Sequence, residues 1–274
     1  MDKFIFTLLI FIGVAFSVQA QKGNHILLYT RNGVGYVHDN IPNAIKCIDS
    51  LSNLLKIKIT KSVDPEIFND DFLGKTDLIV FASTNNDVFD TDEQRLAFRH
   101  YIEAGGKFFG IHSAVGTERK WTWFKQMMGG LFAWHPRFQS FDVVKLEANH
   151  PALKSMPGRW TRKDECYFLK ELFPGSHVIT AVDLHSLRAD SSDMKKVELN
   201  KGTFDRYYPI SWENNFDGGH ILMTTLGHDK NDYMQPTFAT YLKDNIQYML
   251  SLKKSKNYKS VHSKSIHDLP LNLK

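Results

Sequence analysis

The chain has 274 residues, only two cysteines, and a net charge of +4 from 34 basic against 30 acidic residues, which excludes a disulfide scaffold and a cysteine metal knuckle. The charge does not mark a polyanion-binding domain. Six lysines against Asp268 give the last 22 residues +5 and leave −1 for everything before them, so no basic face for nucleic acid is expected.

Met1-Asp2-Lys3 is a short basic start, Phe4 to Phe16 is almost unbroken apolar sequence, and Val18 and Ala20 stand at the −3 and −1 positions of a small-residue cleavage site. An apolar run of about 13 residues falls short of the roughly 20 needed to span a bilayer as a helix. Residues 1–20 are therefore expected to be a cleavable signal peptide. The product would begin at Gln21 and be periplasmic or secreted, with no stable membrane insertion after cleavage. No cysteine follows the apolar run, which argues against a lipoprotein.

Residues 25–30 read as an apolar strand, followed by a glycine-containing loop over 31–40. Ile41, Ala44, Ile45, Ile48, Leu51 and Leu55 recur at helical spacing, with Asp39 or Asn40 as N-cap and Pro42 in the first turn. Strands are expected at 57–60 and 78–82, the second apolar throughout and so buried on both faces. Thr91 and Gln94 form a capping box for a helix through Glu103, which Gly105-Gly106 stops before a strand at 107–111. This alternation predicts a doubly wound, mainly parallel α/β sheet with helices on both faces. Further strands are expected at 141–146, 165–169, 177–182, 209–212 and 221–225, adding antiparallel pairs, before a closing helix at 236–250. One domain is expected over residues 21–252, and a basic, disordered tail over 253–274. Cys47 falls on the apolar side of its helix and reads as a buried free thiol, although export would permit a bond to Cys166.

Ligands of open α/β sheets bind beyond the carboxyl ends of the strands. His38, Asn85, Asn86, Asp87, His112, Ser113, His228 and Asp229 all follow expected strand ends, so three histidines face one rim. Gly110-Ile111-His112-Ser113-Ala114 occupies a position like a nucleophile elbow, with His112 where an acyl-transfer enzyme carries Ser or Cys. An imidazole there can move a proton or bind a metal but makes a poor acyl nucleophile, and Ser113 stands one place off. His135 and His150 each precede proline, which holds them extended. His150 reads as a capping turn, and His135 as a pocket wall. Glu165 opens a strand and is a candidate acid. Trp121, Trp123, Phe124, Phe132, Trp134, Tyr167 and Trp212 are the aromatic stock, of the kind that lines small-molecule pockets and also fills ordinary cores.

These stretches also carry a family resemblance: Tyr36-Val-His-Asp-Asn-Ile-Pro42, Asp77-Leu-Ile-Val-Phe81, Gly110-Ile-His-Ser-Ala-Val-Gly-Thr117, Trp121-Thr-Trp-Phe124, Gly129-Gly-Leu-Phe132, His135-Pro136, Asn149-His-Pro151, Trp160-Thr-Arg-Lys-Asp-Glu165, Pro209-Ile-Ser-Trp212 and Leu226-Gly-His228. In that order the chain resembles the ThuA-like, trehalose-utilisation proteins, relatives of the class I glutamine amidotransferase fold, over residues 25–250. The resemblance implies a flavodoxin-like sheet without the amidotransferase cysteine, and a role with oxidised sugars, 3-keto-glycosides made by a partner dehydrogenase acting upstream. It carries the family's histidines onto His38, His112, His135 and His228 and its acid onto Glu165. Cys166 departs from the bulkier residue usual there.

The expectation is thus an enzyme that removes a proton beside the ketone of a 3-keto-glycoside, leading to β-elimination with hydrolytic cleavage, or to isomerisation. His112, Glu165 and His38 are the candidate catalytic residues, and Asn85, Asp87, Trp121, Trp134 and Trp212 the candidate sugar contacts. His112, His135 and His228 are candidate ligands, with Glu165, for one divalent metal such as zinc. No nucleotide cofactor is expected. The rival readings are a non-catalytic sugar-binding module and a hydrolase using Ser113.

Overall fold

The computed structural model describes residues 24–188, 191–252 and 256–271; the expected leader over residues 1–20 lies outside them. In chain order it contains β1 (His25–Tyr29), α1 (Ile41–Leu54), β2 (Lys58–Ser62), α2 (Asp70–Leu73), β3 (Leu78–Ala82), α3 (Asp92–Glu103), β4 (Lys107–Ile111), α4 (Thr122–Met128) and β5 (Leu131–Trp134). These are followed by β6 (Gln139–Lys145), β7 (Arg159–Asp164), β8 (Phe168–Lys170), β9 (His177–Asp183), α5 (Ser191–Phe204), β10 (Tyr207–Phe216), β11 (Gly219–Thr224) and α6 (Pro236–Ser251).

The apolar strands sit where their composition directs them. All five residues of β1, β3 and β4 are buried, because side chains alternate between two covered faces. Ile26, Leu28, Val80 and Phe109 join α1 and α6 in one core layer. Leu27, Tyr29, Phe81 and Phe108 join α3 and α4 in the other. Thr91 caps α3 with the reciprocal Gln94 bond that the sequence foretells.

Nine strands form one sheet in the order β2-β1-β3-β4-β11-β10-β9-β6-β7. The first five pair in parallel, the doubly wound flavodoxin-like order, and the last four add antiparallel pairs. The chain moves outward from β1 to β2 and returns on the other side of β1 to β3, so a crevice opens at their carboxyl ends.

Two expectations are corrected. The strand expected at 165–169 is broken: β7 ends at Asp164 and β8 begins at Phe168, because the Asp164 carboxylate takes the Glu165 N–H at 2.8 Å out of the ladder. The tail expected to be disordered over 253–274 is packed in its described part, residues 256–271. The buried Arg99 guanidinium donates to the carbonyls of Ser265, Ile266 and Asp268, and Ile266 is itself buried. Lysine-rich composition concealed this, because the attachment runs through backbone carbonyls that any sequence carries. Cys47 and Cys166 are both buried and free.

Candidate functional site

Four loops converge at the carboxyl ends of the parallel strands. His38 follows β1, and the residues after it tie this loop to the one after β11. Asn40 stands at the N-cap of α1 but does not cap it; its amide donates to the carbonyls of Gly227 at 2.7 Å and His228 at 3.1 Å. Asp39 pairs with Lys230 at 2.8 Å. His112 follows β4 with φ +56, a left-handed conformation that costs a non-glycine residue about 1–2 kcal/mol and turns its ring into the crevice. Asp164, fully buried at the end of β7, holds the last pair together. One of its oxygens accepts the N–H groups of Glu165 (2.8 Å) and His228 (3.0 Å). The other accepts Gly227 N–H (2.8 Å) and the Arg162 guanidinium. At Gly227, φ is +111 and a Cβ would lie 2.8 Å from the Tyr233 hydroxyl, so a side chain there would push the loop off its anchor.

The histidines face one another. His38 and His112 rings are 4.6 Å apart, His112 and His228 rings 5.3 Å. The His112 Nδ1 lies 3.0 Å from the Thr225 carbonyl, which only accepts, so Nδ1 carries the hydrogen and Nε2 keeps its lone pair. That Nε2 accepts from the Tyr167 hydroxyl at 2.9 Å and lies 3.3 Å from His228 Nδ1. Glu165 is 8% exposed. Its Oε2 is 3.0 Å from His228 Nδ1 and 3.9 Å from His112 Nε2, and its Oε1 is 3.5 Å from His135 Nε2.

Burial sets the electrostatics. It pushes the His38 pKa down to about 4 and the His112 pKa well below the ordinary imidazole value, the neighbouring histidines adding to both. His228 is also desolvated, but the hydrogen bond and charge of Glu165 outweigh this and move its pKa upward. Burial raises Tyr167 well above the ordinary phenol range, with Glu165 adding to the effect. Around neutral pH the floor therefore presents two neutral imidazoles and a protonated phenol beside His228, whose pKa Glu165 raises.

Above this floor is a cavity of about 510 Å³, lined by Tyr36, His38, Asn85, Arg119, Phe132, His135, Glu165 and Tyr167 among others. Its size suits a small molecule. Of the expected residues, the structure brings His38, His112, Glu165, His135, His228 and Asn85 to this region. It does not bring the three tryptophans or Asp87. Trp121 is buried against Trp123 and donates to the Ile266 carbonyl at 2.9 Å. Trp212 is buried in the same core layer and donates to the Met128 carbonyl at 2.8 Å. Trp134 stacks on Phe168 outside the cavity. Asp87 is exposed, turned away after the left-handed Asn86. His150 caps a short 3-10 turn, as its sequence suggests. Aromatic bulk serves a core and a sugar platform equally well, so composition did not separate them. Arg119 was missed as a site residue, and Tyr167 and Phe132 stood only in the general aromatic stock, not among the expected sugar contacts. The signal was the position of Tyr167 two places after Glu165, on the same side of an extended segment.

Ser113 Oγ is 3.2 Å from His38 Nδ1, but the far nitrogen of His38 faces the Tyr167 hydroxyl at 3.4 Å. The pair thus lacks the carboxylate that orients the base of a hydrolytic triad. The metal-ligand expectation is corrected in one member. His38, His112, His228 and Glu165 offer atoms that all lie within 4.8 Å of one another, and His135 is not in that set. Its Nδ1 is 2.8 Å from the Pro136 carbonyl, which fixes the ring as a wall beside Glu165. Three imidazoles and one carboxylate, with the His112 lone pair directed inward, fit a divalent cation of the zinc type.

A model of the ThuA family, described as trehalose utilisation, matches residues 25–249, and the chain belongs to that family. Among solved structures, a ThuA-like protein from Bacteroides uniformis is 18% identical with a TM-score of 0.69, over 89% of this chain and 98% of that one. A ThuA-like protein from Parabacteroides merdae is 17% identical with a TM-score of 0.66, over 86% and 93%. A GMP synthase protein from Thermoplasma acidophilum shares the fold at 10% identity and a TM-score of 0.52, over 84% and 96%. No curated protein matches in sequence.

Proposed function

We propose that this member of the ThuA family is an exported enzyme that acts on oxidised, 3-keto glycosides by removing the proton next to the ketone. The observation that carries the reading is the placement of Glu165, a nearly buried carboxylate lining the cavity with histidines on both oxygens and the Tyr167 hydroxyl close by. The trehalose-utilisation description of the family supports a sugar as substrate, and the leader-like residues 1–20 support export.

A ketone at C3 acidifies the C2 proton. Glu165 Oε1, on the side of His135, takes that proton. The C2–H electron pair forms the enolate, and the Tyr167 hydroxyl turns from His112 Nε2 to meet the negative oxygen as donor. Collapse of the enolate forms the C1–C2 double bond and expels the C1 glycosidic oxygen, which leaves as the alcohol after protonation. Addition of water at C1, with return of the proton to C2, completes net hydrolysis; reprotonation without expulsion gives isomerisation. A divalent cation held by His38, His112, His228 and Glu165 Oε2 would supply further polarisation of the ketone oxygen.

The test is to incubate the purified protein with a 3-keto-glucoside in D2O and follow C2 by NMR. Deuterium entry or aglycone release, reduced about 10²–10⁴-fold in Glu165→Gln, is the expected result. Sugar binding without exchange or cleavage would favour the non-catalytic sugar-binding reading.

A further inference from the structure

Among the described residues, Arg119 is a charge without a counter-ion. Arg31, Arg95, Arg99, Arg159, Arg162 and Arg206 each sit against a carboxylate, and Arg137 and Arg188, which do not, are exposed to solvent. Arg119 is half-buried in the wall of the cavity, and its side-chain acceptors are two neutral amides, Asn86 Oδ1 and Asn85 Oδ1, each at 3.0 Å. A desolvated cation with only neutral acceptors is unfavourable unless an anion completes it.

The surroundings hold the guanidinium in place. The Asn86 amide donates to the Val34 carbonyl and that of Asn85 to the Tyr36 carbonyl, so both amide oxygens are turned to Arg119. At Gly116 a Cβ would lie 2.8 Å from Arg119 Nη2 and 2.9 Å from Asn85 Oδ1, so the absent side chain is what admits the fork. Its far face rests on Phe132, 5.7 Å from the ring centroid, and Phe132 in turn lies 4.4 Å from the Tyr167 ring. The Phe132–Tyr167 pair thus stands between the guanidinium and the histidines. Glu165, which lines the same cavity, is engaged with His228 and His135.

We infer that Arg119, oriented by Asn85 and Asn86, is an anion subsite of the cavity, so that the sugar taken there bears a carboxylate or a phosphate group. This rests on the sugar reading above and narrows it to acidic sugars. A planar guanidinium fork is the side chain best matched to either anion.

Calorimetric titration of the purified protein with D-glucose, D-glucuronate, glucose 6-phosphate and inorganic phosphate separates the cases. One of the anionic sugars is expected to bind about ten- to a hundredfold tighter than glucose, and which one does so assigns carboxylate or phosphate. The preference should disappear in Arg119→Gln and persist only in part in Arg119→Lys, which keeps the charge and loses the fork. Glucose binding as tightly as both anionic sugars, or an unchanged preference in Arg119→Gln, overturns the subsite and leaves the sugar reading standing. Phosphate bound by the parent and lost in Arg119→Gln, with neither anionic sugar bound, keeps an anion site and overturns the assignment to acidic sugars. Silence with all four overturns the subsite and leaves the sugar reading to the 3-keto-glucoside exchange test. Should Arg119→Gln fail to fold, the parent comparison and Arg119→Lys still decide.

Discussion

Among the described residues, two clusters bring three or more histidine and carboxylate groups within 4.8 Å of one another, and only one of them has the character of a site. At the strand ends, His38, His112, His228 and Glu165 meet under an open cavity, and the His112 Nε2 lone pair is held by the rotatable Tyr167 hydroxyl. On the other side, Glu103, Asp217 and His262 gather around Arg99. There Glu103 accepts from Arg99 and from the His262 and Ser263 N–H groups. Asp217 accepts from the Trp123 indole at 2.8 Å and the Leu271 N–H at 2.9 Å. Its carboxylate oxygens already hold donors, and the cluster fastens residues 256–271 to the domain. Proximity of ligand-type residues is therefore a weak signal; an adjoining cavity, and carboxylates not already paired to a buried arginine, are the stronger ones.

The sharpest way to break this comparison is to disable each cluster and ask which property falls. Glu165→Gln is expected to lower 3-keto-glycoside turnover about 10²–10⁴-fold while leaving the unfolding midpoint nearly unchanged. Arg99→Met should do the reverse, costing about 3–5 kcal/mol in urea unfolding because two buried carboxylates lose their partner, with turnover kept below the new midpoint. A variant that loses both properties in equal measure would dissolve the distinction.

Metal content sharpens it next. Zinc offered to the purified protein is expected to bind near one per chain in parent and Glu103→Gln and to be lost in His112→Ala, read by elemental mass spectrometry. Retention in His112→Ala together with loss in Glu103→Gln would reverse the assignment. A smaller effect concerns Asp164, which positions Glu165 and His228 through their N–H groups. Asp164→Asn keeps the shape and removes the charge, so kcat should fall more than KM rises, by about tenfold, as the Glu165–His228 geometry loosens.

The smallest effect lies far from both clusters. Hydrogen bonds from Arg206, then Arg159, hold the Asp183 pKa at about 2 against the opposing effect of burial. Its folded value is below the unfolded one near 3.9, so its contribution is present above that pH and lost as pH falls toward 2. Asp183→Asn should be less stable than the parent by about 1 kcal/mol at pH 7, allowing for the exposed arginine partners. The two should converge below pH 3 in urea unfolding; a constant difference across that range would assign the effect to packing.

The sequence by itself determined the α/β alternation, the strands buried on both faces, the α3 capping box and the rim on which His38, Asn85, His112 and His228 fall. Each of these rests on local periodicity or on the rule that loops after parallel strands share an edge. The tertiary structure alone decided which side chains meet. Trp121 and Trp212 went into the core, because an aromatic ring satisfies a packed interior as well as a pocket wall. Tyr167 and Arg119 entered the cavity, and residues 256–271 docked through backbone carbonyls held by Arg99. Such choices depend on which acceptor is left unfilled by residues distant in the chain, and spacing along one sequence carries no record of that.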